Sequence, residues 1–171
     1  MRTLTISFLI IPLVCIAAPQ QQRSSDATPN FSGVYELVSV KGNMYAKGLP
    51  QRRLEVTQTD AEMHVVRIEG EKRWVRTFPL NGEEAENSPT PSSRERDKAL
   101  FKGDQLTVDT AHLVPPDFKP GYRETEIWQF VDGGTHLKID RHVEFAIPGV
   151  DVEAKKATEL YAPVRTAPNP H

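Results

Sequence analysis

Short apolar runs separated by turn dipeptides fill most of this chain, and they leave no room for helices of ordinary length. Val34–Val40, Arg53–Gln58, Met63–Ile68 and Arg73–Leu80 are rich in β-branched and aromatic residues or alternate apolar with polar. So do Ala99–Lys102, Gln105–Val108, Tyr122–Val131, Thr135–Phe145 and Ala157–Tyr161. Gly70-Glu71, Asn81-Gly82, Gly103-Asp104 and Asp132-Gly133 punctuate them with the chemistry of tight hairpin turns. No stretch carries a sustained apolar stripe at the 3.6-residue helical spacing. The expectation is an all-β fold: an antiparallel up-and-down meander of eight to nine strands, closed or strongly curved into a β-barrel. Closure is favoured because it removes exposed strand edges. Two connections break the rhythm. Glu83 to Arg96 reads as a polar loop, acidic, then Pro/Ser-rich, then basic, and Leu113 to Gly121 is a proline-stiffened loop with an exposed Phe118.

The ends of the chain differ from its middle. Met1-Arg2-Thr3 is a short positive start, Leu4 to Ile16 is almost wholly apolar, and Cys15-Ile16-Ala17-Ala18 places small residues around a cut after Ala17. That is the pattern of a secretory leader, and the apolar run is too short to span a bilayer. The division expected is a signal peptide at 1–17, a disordered linker at 18–29, the barrel domain at 30–162 and a loose tail at 163–171. The product is expected in the periplasm or the medium, with no membrane span after leader removal. Cys15 is the only cysteine and leaves with the leader, so the barrel must hold together without disulfides and can offer no thiol nucleophile or ligand.

Formal net charge is −2 and charged residues are 26% of the chain, an ordinary balance without the basic face of a nucleic-acid binder. A monomer is expected. His136, Asp140 and His142 share one strand face, but the two histidines stand about 20 Å apart on extended chain, too far for one ion. No metal site and no cofactor is expected. The chain shows no His-Glu-x-x-His, no Gly-x-Ser-x-Gly and no phosphate-cradling glycine loop, so no catalytic residue is assigned.

One residue breaks the alternation in an informative way. In Leu137-Lys138-Ile139-Asp140-Arg141-His142-Val143-Glu144-Phe145, Arg141 shares a face with Leu137, Ile139, Val143 and Phe145. A two-residue Asp132-Gly133 loop would pair Trp128 with Leu137, Glu126 with Ile139 and Glu124 with Arg141. A carboxylate opposite an inward guanidinium is what desolvation requires. A three-residue loop through Gly134 would instead turn Glu124 outward.

Gly33-Val34-Tyr35 on the first strand resembles the Gly-x-Trp opening of lipocalins. Leu54–Gln58, Phe78–Gly82, Phe101–Leu106 and Trp128–Gly133 are similar to segments of exported bacterial lipocalin-like domain proteins, a group mostly of unassigned function. The resemblance spans Phe31 to Tyr161. It implies a lipocalin-like barrel, with Arg141 as the late-strand arginine that packs across the first-strand aromatic.

Tyr35, Trp74, Trp128, Glu124 and Arg141 are the candidate ligand-binding residues, the aromatics serving either as a cup for a ligand or as plain core. The function expected is a non-enzymatic barrel binding a small apolar or amphipathic molecule in the cell envelope. The alternatives are a loop-mediated interaction or inhibitor module, or a barrel enzyme using Arg141 and Glu124.

Overall fold

The computed structural model describes residues 28–45, 50–145 and 153–164. The leader, nearly all of the linker and the tail past Val164 lie outside the described residues. Ten antiparallel strands form one sheet. They are β1 (Gly33–Gly42), β2 (Arg52–Gln58), β3 (Glu62–Glu69), β4 (Lys72–Pro79) and β5 (Asn81–Asn87), then β6 (Arg94–Lys102), β7 (Gln105–Val114), β8 (Lys119–Val131), β9 (His136–Phe145) and β10 (Lys155–Pro163). The order across the sheet is β4-β3-β2-β1-β10-β9-β8-β7-β6-β5. Every neighbouring pair is consecutive in sequence except β1–β10. The two sheet edges, β4 and β5, are joined through Leu80, so the meander curls into a nearly closed barrel.

The all-β barrel matches the sequence expectation, with ten strands in place of eight to nine. The additional strand is β5, which lies largely in the region read as a polar loop. Its sequence offers little to bury, and cross-strand charge holds it instead. Glu84 stands opposite Lys98 and Glu86 opposite Arg96 on β6, with Arg94 reaching Glu86 at 3.0 Å. The acidic-then-basic order of Glu83 to Arg96 is thus a hairpin of complementary strands. The second long connection also shrinks, because β7 runs on to Val114 and β8 begins at Lys119. Phe118 is exposed at that turn, with the Arg94 guanidinium over its ring at 5.1 Å.

The β8–β9 register differs from the two-residue expectation. Val131 pairs with His136, so the connection holds four residues, and Trp128 faces Ile139, Glu126 faces Arg141 and Glu124 faces Val143. Gly133, at φ +69°, takes the left-handed conformation inside this turn. Two added loop residues shift the pairing by a whole pleat repeat, so every side chain keeps its face. Glu124 and Arg141 both remain inward.

The β1–β10 seam depends on Gly42. Its φ is +124°, and a Cβ there would lie 2.1 Å from the Lys156 carbonyl oxygen. One end of the barrel is packed solid. Phe31, just ahead of β1, plugs it and lies 5.0 Å from the Phe130 ring and 6.1 Å from Trp128. Leu54, Met63, Phe78, Leu106, Trp128, Leu137 and Ile139 are fully buried around that plug. Gln58 fixes the segment by accepting from the Phe31 N–H and donating to the Pro29 carbonyl, both at 2.8 Å.

Candidate functional site

Toward the opposite end, the inward face of strand after strand changes from apolar to charged. Along β2 the inward series runs from Leu54 to Arg52, along β3 from Val65 to Arg67, and along β4 from Phe78 to Arg76. β6 passes from Ala99 to Asp97 and Glu95, and β8 from Trp128 to Glu126 and Glu124. Arg141 on β9 and Glu159 on β10 complete the layer. It sits directly on the core. The Trp128 indole N–H donates to Glu126 at 3.0 Å and the Tyr161 hydroxyl to Glu159 at 2.7 Å, so two core aromatics satisfy carboxylate oxygens from below.

The layer is a connected ion-pair network. Glu126, fully buried, accepts from Arg67 at 2.9 Å and from Arg76 at 3.1 Å, with Arg141 Nε at 3.5 Å. Burial alone would raise its pKa, but Arg76, Arg67 and Arg141 hold it well below the usual carboxylate range. Glu159 accepts from Arg52 at 2.6 Å, from Arg141 at 3.1 Å and from the Tyr45 hydroxyl. Burial opposes its ionisation too, yet Arg141, Arg67 and Arg52 bring its pKa down to about 2. Arg52 also spans to Glu69 at 2.7 Å. Asp97 differs: burial raises its pKa, although Thr110, Asn87 and Arg76 all face it.

His112 on β7 lies between two acids. Its Nδ1 is 2.9 Å from Glu95 and its Nε2 is 3.4 Å from Glu124. Burial disfavours the imidazolium, but hydrogen bonds to Glu124 and Glu95 outweigh that and raise the pKa to about 9. Its ring stacks on Tyr122 with centroids 4.0 Å apart.

Above this layer lies a cavity of about 320 Å³. Trp74, Val65, Tyr122, Met44 and Tyr45 supply its apolar surface, and Arg52, Arg67, Arg76, Arg141, His112, Glu69, Glu95 and Glu124 its charged surface. Met44 and Tyr45 belong to the β1–β2 connection and Pro89 to the β5–β6 turn, which places the cavity at the end opposite the Phe31 plug.

The structure therefore divides the residues singled out from sequence. Trp74, Glu124 and Arg141 line one cavity. Tyr35 and Trp128 belong to the packed core, Trp128 fully buried and Tyr35 donating its hydroxyl to the Phe31 carbonyl at 3.0 Å. Arg141 does not pack across Tyr35. It pairs with Ala157, which pairs with Gly42 at the far end of β1 from Tyr35. The guanidiniums over rings here are Arg52, 5.1 Å from Tyr45, and Arg76, 5.5 Å from Phe78, whereas Arg141 sits among three carboxylates. Sequence reasoning missed Tyr45, Arg52, Arg67, Arg76, Glu95, Asp97, His112 and Glu159. The alternation that marks Arg141 as inward marks all of these except Tyr45, which lies between β1 and β2.

No protein-family model matches the chain, and no curated protein matches it. Among solved structures the barrel is similar to the REP1-NXSQ fatty acid transporter, with a TM-score of 0.54 and 13% identity over 80% of this chain and 97% of that one. It is also similar to apo lipid binding protein 8 of Caenorhabditis elegans, with a TM-score of 0.54 and 11% identity over 78% of this chain and 95% of that one. At such identities the likeness is one of fold: this chain shares the antiparallel β-barrel of those proteins.

Proposed function

We propose that this protein is an exported, non-enzymatic barrel that holds a small amphipathic molecule in the open half of its interior. The observation that carries this reading is the cavity of about 320 Å³ with an aromatic wall and a charged floor, in a barrel otherwise packed to its far end. That volume lies at the small end of the range for ligand pockets, and the mixture of apolar wall and convergent polar groups is their usual make-up. The names of the structural neighbours, a fatty acid transporter and a lipid binding protein, support an apolar ligand part. The floor supports binding over catalysis, since its arginines are each engaged by carboxylates in a fixed lattice. Export rests on the Met1–Ala17 leader pattern.

Titration with the neutral fluorophore N-phenyl-1-naphthylamine tests the binding reading. Saturable enhancement is expected, weakened at least fivefold by Trp74→Ala and unchanged by Leu100→Ala on the outer surface. A linear, unsaturable response would overturn it. For export, expression with residues 1–17 should yield periplasmic or secreted protein beginning near Ala18. Cytoplasmic protein retaining Met1 would overturn that part.

A further inference from the structure

Resting on the reading of the cavity as a ligand site, we propose that it selects a ligand whose polar head is a hydrogen-bond-donating cation, a protonated alkylamine, and disfavours a carboxylate. Three observations carry this. First, every arginine that lines the cavity is already bound to a buried or half-buried acid: Arg52 to Glu69 and Glu159, Arg67 and Arg76 to Glu126, Arg141 to Glu124 and Glu159. An incoming carboxylate would have to share a guanidinium with one of these acids and add a further negative charge to a layer already rich in buried carboxylates, which is unfavourable.

Second, the formal charges do not balance. Four arginines and His112, held as imidazolium between two glutamates, give five positive charges. Glu69, Glu95, Glu124, Glu126, Glu159 and Asp97 give six negative charges, so among the described residues the formal charges of the layer are one cation short of neutrality.

Third, the unmet acceptor is identifiable. Glu95 is nine-tenths buried and lines the cavity, with one oxygen 2.9 Å from His112 Nδ1 and the other, Oε2, buried without a hydrogen-bond partner among the described residues. A buried carboxylate oxygen without a donor is unfavourable, and an ammonium brings three donors. Trp74, Tyr45 and Tyr122 add aromatic surface to the same lining, of the kind that attracts cations as well as alkyl chains. Arg67 Nε is also without a partner among the described residues, but the charge of Arg67 is met by Glu126, so it asks for a neutral acceptor such as a ligand hydroxyl.

The test is competition against N-phenyl-1-naphthylamine at pH 7 by octylammonium, octanol and octanoate, which share a chain and differ in head group. The expected order is octylammonium tightest, at least tenfold tighter than octanol, with octanoate weakest. Glu95→Gln should remove the preference for octylammonium over octanol, read as the ratio of the two affinities in the same variant. Octanoate binding as tightly as octylammonium, equal binding of all three, or failure of all three to displace a bound fluorophore would overturn the head-group assignment and leave the cavity reading standing. Absence of saturable fluorophore binding would overturn both. The comparison on the unaltered protein decides the matter even if Glu95→Gln does not fold.

Discussion

Arg141 sits where Glu124, Glu126 and Glu159 converge, and its guanidinium keeps those three acids from facing one another unscreened. Burial alone would lower its pKa, yet the three glutamates hold it well above the usual arginine value. Replacing it by Met keeps the bulk and deletes the charge, so Arg141→Met should cost about 3–5 kcal/mol, the range for breaking one side of a buried ion pair. Glu124→Gln in the same chain should return only part of that. Glu126 keeps Arg67 and Arg76, and Glu159 keeps Arg52, but among the described residues Glu124 retains only His112 in direct contact. Urea unfolding of the single and double variants measures this, and a loss below about 1 kcal/mol for Arg141→Met would contradict it. Arg141→Lys should not rescue, because one ammonium cannot reproduce a fork that reaches three carboxylates. The inward place of Arg141 was legible from alternation alone; that it meets three acids was not. Those acids come from β8 and β10, and only closure of the sheet ranks them at one level.

At the scale of elements, the weakest join in the barrel is the β4–β5 seam, where no ladder of backbone bonds forms. Asn87 covers it with a side chain. Its Oδ1 accepts from the Thr77 N–H at 3.0 Å, and its Nδ2 donates to the Thr77 carbonyl at 2.9 Å and to Asp97 at 2.8 Å. The amide thus stands in for a strand neighbour and ties the seam to the charged layer. Asn87→Ala should cost about 2 kcal/mol, since it strips hydrogen bonds from partly buried groups. It should also speed hydrogen exchange at the Thr77 amide out of proportion to the rest of β4. Unchanged protection at Thr77 would mean the seam is held elsewhere. β5 itself was illegible as a strand because its pattern answers to charges on β6, some ten residues away, and inward apolar periodicity carries no such information. The β8–β9 turn shows the opposite case. It is two residues longer than the Asp132-Gly133 dipeptide implies, yet the inward face is kept, because a strand repeats every two.

Across the whole molecule the charged layer sets how stability depends on pH. His112 binds its proton more tightly folded than unfolded, with a pKa near 9 against an ordinary 6.5. Its contribution is therefore complete below pH 6.5 and disappears as pH rises through about 9. Glu159, lowered from 4.5 to about 2, contributes above pH 4.5 and loses that contribution as pH falls toward 2. Maximum stability should lie between pH 4.5 and 6.5. A decline on the order of 2–3 kcal/mol should follow by pH 9, before the tyrosines titrate. Thermal or urea unfolding across pH 5–9.5 checks this: His112→Asn should flatten the alkaline decline, and a flat profile in the unaltered protein would refute it.

What the sequence determined by itself is local or periodic: the strand-and-turn rhythm that excludes helices, the leader pattern, the absence of any thiol beyond Cys15, and the inward face of Arg141. Each follows from alternation along one strand or from chemistry within a few residues. The tertiary structure alone decided that Tyr35 and Trp128 are core while Trp74 lines a cavity, and that eight strands raise their inward polar residues to one level. Height along a barrel depends on the stagger between strands, which many residues set jointly through closure. No single segment of the sequence encodes it.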